Sequence, residues 1–386
     1  MPPPLFTPIL RDHLALALIS GLGPKLTRAV LQHFGSPSAV LRATAAQLES
    51  VPLIGTKLAH KFAEGFRSVD VEAECNLITK HGVSVTLLGS DDYPARLADI
   101  SDCPALLYHC GVWTEGDRNA IGIVGSRSCT SYGKKTAERI ATGLVNAGYT
   151  VISGLARGID GVAHDAALKA GGRTIAVLAG GLAKIYPPEH TNLAEQITKQ
   201  GAILTETPMT MEPQPGMFPA RNRIISALSR AVVVIEANAK SGALITATHA
   251  AEQGREVFAV PGNVDSAASA GCLELIRKGA RLVRDADDIL EDVRGIAPPD
   301  PPPRKSATKV PPSLFEQPAS PGVVTGPPPG LDDTQHRIWE ALGSSRHADE
   351  LSRELGIPAS DLAVLLMKLE MKKAIRRLPG NKYERR

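Results

Sequence analysis

From Ala120 onward the chain alternates short apolar runs with longer amphipathic stretches. The runs AIGIVG, YTVISG, TIAVLAG, AILTE, AVVVIEA and EVFAVPG are apolar on both faces and are separated by helical patterns. Strands of that kind belong to a parallel sheet covered by helices on either side. Between the first two runs, Ala137, Ile140, Ala141, Leu144 and Val145 follow the spacing of one buried helical face. The pattern predicts an α/β fold, a Rossmann-like doubly wound parallel sheet, over residues 115–295. A connector, 83–114, joins the same domain and carries one β-like run at Val83 to Leu88.

The flanks read differently. Residues 1–82 predict short helices with turns at Gly21-Leu22-Gly23-Pro24, Gly35-Ser36-Pro37 and Ile54-Gly55. GLGPKLTRAVLQHFGS (21–36) looks like a helix-hairpin-helix element, with a weaker second copy in VPLIGTKLAHKF (51–62). In such an element a glycine turn presents a helix N-terminus to a DNA backbone, and Lys25 and Arg28 are the outward charges. A plain helical bundle with glycine-capped turns and solvated basic residues fits the same pattern equally well. Residues 296–330 are Pro-rich and read as a tether that builds no core. Residues 331–386 give three short helices and a hairpin, the pattern of a winged-helix domain.

Composition sets limits without naming a partner. The 386 residues carry 43 basic and 40 acidic side chains, a net charge of only +3, so nucleic-acid binding needs a local cluster of cations. The five cysteines form no CxxC pair and have no ligand-spaced histidines, which favours neither a metal site nor a disulfide framework. The apolar run Leu14 to Ile19 is too short for a membrane span, and a cytoplasmic location is expected.

Candidate chemistry gathers where a doubly wound sheet places its ligands, beyond the carboxyl ends of the strands. Gly125-Ser126-Arg127 follows the first run, Ser153 to Gly158 the second, and Gly180-Gly181 with Lys184 and Tyr186 the third. Lys240, Ser241 and Gly242 follow the Val232 to Ile235 run. Arg221, Asn222 and Arg223 fall just before a helical pattern, so they are expected near a helix N-terminus, where free N–H groups and the dipole favour a phosphate. Several such cradles on one rim suit a polyphosphate chain. GxGxxG, Walker A and GxSxG motifs are absent. Asp160 and His164 are the best acid/base candidates, although a helix cap and a packed neighbour are the readings favoured for them. Tyr186 and Phe218 offer stacking surfaces or ordinary packing.

GIVGSR (122–127), SGLARGIDGVAHDAAL (153–168), GGLAKIYPPEH (180–190), FPARNRIISALS (218–229) and SGALITATHAAEQGREVFAVPG (241–262) resemble the signatures of the DprA/Smf DNA-processing family. These five blocks lie in order across nearly the whole sheet domain. The resemblance implies a non-enzymatic protein that needs no cofactor or metal. It implies that the protein binds single-stranded DNA as a homodimer through the Rossmann-like domain, protects incoming DNA in natural transformation, and helps load RecA recombinase. Carried over by position, DNA contact falls on Gly125, Ser126 and Arg127 and on Arg221, Asn222 and Arg223, with Lys184, Lys240 and Ser241 extrapolated from their place on the rim. Two other classes stay open. One is a nucleotide-cleaving enzyme of the phosphoribohydrolase type, whose PGGxGTxxE signature is replaced here by SGALITATHAAE. The other is a nucleotide-sensing transcription regulator, which the SDLAVLLMKLE helix (360–370) disfavours because it has one Lys against two acids and no Asn, Gln or Arg to address base edges. Lys372, Lys373, Arg376, Arg377 and Lys382 form a basic wing that keeps duplex binding open.

Overall fold

A computed structural model describes residues 6–296, 332–342, 346–355, 357–372, 374–378 and 382–385. Most of the Pro-rich 296–330 segment, and Lys373 of the basic wing, lie outside the described residues. The chain divides into two compact units at residue 301.

Six helices open the first unit: Pro8–Ala17, Pro24–Phe34, Pro37–Leu41, Ala45–Leu48, Thr56–Ser68 and Val71–Lys80 (α1 to α6). Proline starts α1, α2 and α3, where its fixed φ suits the first turn and its missing N–H costs nothing. α2 and α5 open directly after Gly23 and Gly55, at the two turns that the hairpin-like segments mark. Leu16, Val30, Leu48 and Phe62 close their common core. Lys25 and Arg28 are exposed, but Arg28 also donates to the carbonyl of Ser101 at 2.9 Å, holding α2 against the connector.

After the helices come β1 (Ser84–Leu87), α7 (Ala95–Ala98), β2 (Leu106–Gly111), β3 (Ala120–Val124), α8 (Ser131–Asn146), β4 (Thr150–Ser153), α9 (Ile159–Lys169), β5 (Thr174–Val177), α10 (Thr191–Gln200) and β6 (Ala202–Thr205). Then follow α11 (Met217–Leu228), β7 (Ala231–Val234), α12 (Gly242–Glu252), β8 (Glu256–Ala259), α13 (Ala270–Arg277), β9 (Arg281–Leu282) and α14 (Ala286–Ile296). One nine-stranded sheet runs in the order β1-β2-β6-β5-β4-β3-β7-β8-β9.

The six apolar runs are β3 to β8, all parallel, with Ile121 facing Val151 on one side and Ala231 on the other. Ala137, Ile140, Ala141 and Leu144 of α8 are fully buried against β3, β4 and β7 in a core shared with α9 and α14. Ile224, Ile225 and Leu228 of α11 pack on the opposite face with Ala243 and Ala247 of α12. The sheet is thus doubly wound.

The connector departs from its expected role. Beyond β1 it forms a second strand, β2, and both are antiparallel: β1 on β2 and β2 on β6. The apolar start of β2, Leu106 to Tyr108, is buried. Leu14 of α1 and Cys75 and Ile78 of α6 enter the same cluster as Leu106, Tyr108, Ala176 and Ile203, so the helical segment and the sheet share core. Buried Glu74 of α6 also accepts from the Met209 N–H at 2.8 Å.

The second unit contains α15 (Asp333–Ala341), β10 (Arg346–His347), α16 (Ala348–Leu355), α17 (Ala359–Met371), β11 (Ile375–Leu378) and β12 (Lys382–Arg385). Its strands pair in the order β10-β12-β11 and its helices bury Ile338, Leu351, Leu362 and Leu366, a winged-helix arrangement. Asp361, Val364 and Lys368 lie on the exposed side of α17. They are one acid, one apolar residue and one cation, with no Arg, Asn or Gln among them.

Candidate nucleic-acid interface

The chain runs outward through β3, β4, β5 and β6, then returns to lay β7 beside β3. That reversal leaves a crevice beyond the carboxyl ends of the strands, the place where open α/β sheets bind ligands. A small, partly open cleft lies there. Its walls come from three consecutive strand ends and from α11: Arg127 after β3, Gly154 and Arg157 after β4, Gly180, Lys184 and Tyr186 after β5, and Phe218 in the first turn of α11.

Three cations reach this cleft, and all are exposed. The Arg127 guanidinium sits over the Phe218 ring, 4.7 Å from its centroid, and Phe218 lies 5.9 Å from Tyr186. Among the described residues Arg127 forms no ion pair with a carboxylate. Arg157 pairs with Glu189, and Lys184 pairs with Glu212 at 2.7 Å, both at the surface. Such exposed pairs contribute little and exchange readily for another anion. The cleft therefore offers cationic charge beside an aromatic pair, one group for phosphates and one for the faces of bases.

The buried residues near it do other work, and several expectations are corrected. Arg221, Asn222 and Arg223 are not at a helix N-terminus, because α11 begins at Met217 and places them in its second turn. All three are buried. Arg221 donates to the carbonyls of Gly154, at 2.7 Å, and Val177, and it faces the Asp160 carboxylate. Burial pulls its guanidinium down to about 10, opposed by the attraction of Asp160. It remains charged at neutral pH as an internal strut joining the ends of β4 and β5 to α11. Arg223 makes a two-pronged ion pair with Glu206, at 2.9 and 2.7 Å, and reaches Asp102 at 3.3 Å. Asn222 donates to the Gly242 carbonyl at 3.3 Å.

Gly125 and Ser126 also differ from the expected phosphate cradle. A Cβ on Gly125 would come within 2.6 Å of Ile159, so this glycine lets α9 approach the strand. The Ser126 N–H is already used, donating to the Glu236 carbonyl at 2.7 Å, and its hydroxyl accepts from Ser128 at 3.2 Å. Both residues lead into Arg127, and neither lines the cleft. Lys240 is exposed, and Ser241 caps α12 by accepting from the Ala243 N–H at 3.3 Å. Neither lines the cleft. Of the nine site residues expected from sequence, the structure brings Arg127 and Lys184 together in the cleft, and it adds Arg157, Tyr186 and Phe218. The signal for Arg157 was its place after β4, equivalent to that of Arg127 after β3.

The acid/base candidates are interior groups. Asp160 is the second residue of α9, not its cap, and accepts from the Gly154 N–H at 3.1 Å. His164 is fully buried, its Nδ1 2.7 Å from the Thr174 hydroxyl. Burial, aided by repulsion from His190 and Arg221, pushes this imidazole from the ordinary 6.5 down to about 3. A histidine held neutral in the fold but protonated when unfolded withdraws stability as pH falls between those values. Relative to pH 7.5, the wild-type chain is expected to lose about 2 kcal/mol at pH 5 from this residue, at ~1.4 kcal/mol per pH unit. His164→Gln removes that loss. Urea unfolding at the two pH values checks it, and an equal loss in both proteins would show that His164 is not responsible.

Among the described residues no cluster of three His, Cys, Asp or Glu is arranged to hold a metal ion, and no helix is long and apolar enough to cross a membrane.

Comparison with known proteins gives this geometry its family. Residues 84–294 match the model of DNA recombination-mediator protein A, a span covering more than half of the chain. The chain belongs to the DprA/Smf family. Residues 324–381 match the DprA winged-helix domain and 14–70 a SAM-like tandem of helix-hairpin-helix elements. Protein Smf of Synechocystis sp. is 34% identical over 97% of this chain and 98% of its own length. DprA of Bacillus subtilis is 44% identical over 55% of this chain and 72% of its own. Among solved structures, DprA of Streptococcus pneumoniae superposes with a TM-score of 0.65 at 34% identity, over 74% of this chain and 98% of that one. A DprA of Helicobacter pylori, described for its single-stranded DNA binding mode, matches with a TM-score of 0.50 at 29% identity, over 55% of this chain and 96% of that one. The sequence resemblance to DprA/Smf proteins is therefore correct.

Proposed function

We propose that this DprA/Smf protein binds single-stranded DNA without sequence specificity, protects it, and helps load RecA recombinase onto it during natural transformation and recombination. The observation that carries the reading is the row of exposed cations at three adjacent strand ends, Arg127, Arg157 and Lys184, bracketing the aromatic pair Tyr186 and Phe218. Cations track a phosphate backbone whatever its sequence, and every base has a face to stack. The single-stranded DNA binding mode described for the H. pylori relative supports the same ligand. The chain acts in the cytoplasm without a cofactor, as a homodimer through the Rossmann-like domain, and it leaves the strand uncut. Asp160 and His164, the acid/base pair an enzyme reading would use, are engaged inside the fold.

Titration of a labelled single-stranded oligonucleotide at several salt concentrations tests this. Arg127→Ala is expected to weaken binding about tenfold and to lower the slope of log affinity against log salt by ~0.7, one phosphate contact on a single strand. Phe218→Ala is expected to weaken binding by a similar factor through lost base stacking, with the slope unchanged. Wild-type affinity and slope in both variants, and in Lys184→Ala, would remove the cleft from the binding surface.

A further inference from the structure

Glu236, just beyond β7, is buried, and no catalytic or DNA-contacting role falls to it. Its carboxylate Oε2 accepts from the Thr130 N–H at 2.8 Å, where Thr130 caps α8. Its carbonyl accepts from the Ser126 N–H at 2.7 Å. One residue thus grips both ends of the 126–130 loop, and Arg127 is the exposed cation between the two grips. The space it occupies is shaped for it, since a Cβ on Gly133 of α8 would collide with the same Oε2. The N-terminus of α8 already attracts negative charge, so the carboxylate serves there as a built-in anion.

We propose that Glu236 is a positioning residue: its carboxylate fills the anion site at the start of α8 and holds the 126–130 loop so that Arg127 is aimed at the cleft. The loop geometry stands on its own, and the consequence for DNA rests on the function proposed above. A phosphate on α8 would compete with an internal carboxylate, so the strand is met by the Arg127 side chain and not by the helix end.

Two measurements on the full-length protein separate these levels. Amide hydrogen exchange read by mass spectrometry, without DNA, is expected to rise about tenfold or more at Ser128 and Thr130 in Glu236→Ala, with β3 unchanged, because a charge-assisted bond has been removed. Gly133→Ala, which leaves Glu236 in the chain but displaces its carboxylate, is expected to do the same and serves if Glu236→Ala fails to fold. Glu236→Gln, which keeps an acceptor, is expected to stay near wild type. Wild-type exchange in this loop in Glu236→Ala, or in Gly133→Ala where that variant stands in, would overturn the proposal. Oligonucleotide affinity then follows as a cycle: Glu236→Ala weakens binding several-fold alone but adds nothing to Arg127→Ala. Fully additive losses would overturn the aiming of Arg127. A loosened loop with unaltered DNA affinity in every variant, Arg127→Ala included, would leave the loop clamp standing and sink the DNA-binding reading.

Discussion

Arg221→Met is expected to cost about 3–5 kcal/mol of folding stability, the usual penalty for breaking a buried charge pair from one side. Methionine roughly keeps the length of the side chain, so lost volume is not the main effect. What disappears is the donor to the Gly154 and Val177 carbonyls and the charge opposite Asp160, which is buried with it. Asp160→Asn in the same chain is expected to restore part of the loss by removing the stranded carboxylate. Urea unfolding measures both. The earlier expectation of an anion-binding Arg221 makes the opposite forecast, a fully stable protein that has lost DNA affinity. Wild-type stability in Arg221→Met would revive that expectation and remove the internal strut.

The second large effect is expected at Gly158, which precedes α9 with φ +77 and ψ −127, a conformation essentially reserved for glycine. A Cβ there would meet the Ser126 carbonyl and approach the Arg127 carbonyl within 2.7 Å, both of them backbone atoms that cannot swing away. Gly158→Ala is expected to cost about 3 kcal/mol or more, combining backbone strain with the forced shift of the loop that bears Arg127. Oligonucleotide affinity should fall even where the variant remains folded. Gly242→Ala is the control, since a Cβ there meets nothing within 4 Å. Equal melting temperatures for the two variants would contradict this account of Gly158.

The parallel sheet was legible because β3 to β7 are buried on both faces, and β8 over Phe258 and Ala259, a constraint that writes a largely apolar run into each strand. β2 was not legible as a strand. Only Leu106 to Tyr108 are fully buried, and its partners β1 and β6 are set by pairing that no local pattern encodes. The rim was readable for a topological reason: ligands gather at strand ends, and Arg127 and Lys184 follow strand ends. The Arg221 to Arg223 cluster misled because a cation's exposure depends on partners elsewhere in the chain. Asp160 draws one arginine inward and Glu206 the other, and neither carboxylate stands in the segment that suggested a phosphate site. Glycine was ambiguous in the same way: Gly125 admits a helix where a ligand was expected.

Glu74 reaches from α6 to the Met209 amide, and Met209 in turn accepts from the Ala183 N–H in the loop that carries Lys184 and Tyr186. Residues 1–82 are accordingly not a passenger fused to the sheet. They act as a buttress, and substitutions at Glu74 of α6 bear on one wall of the cleft through two hydrogen bonds.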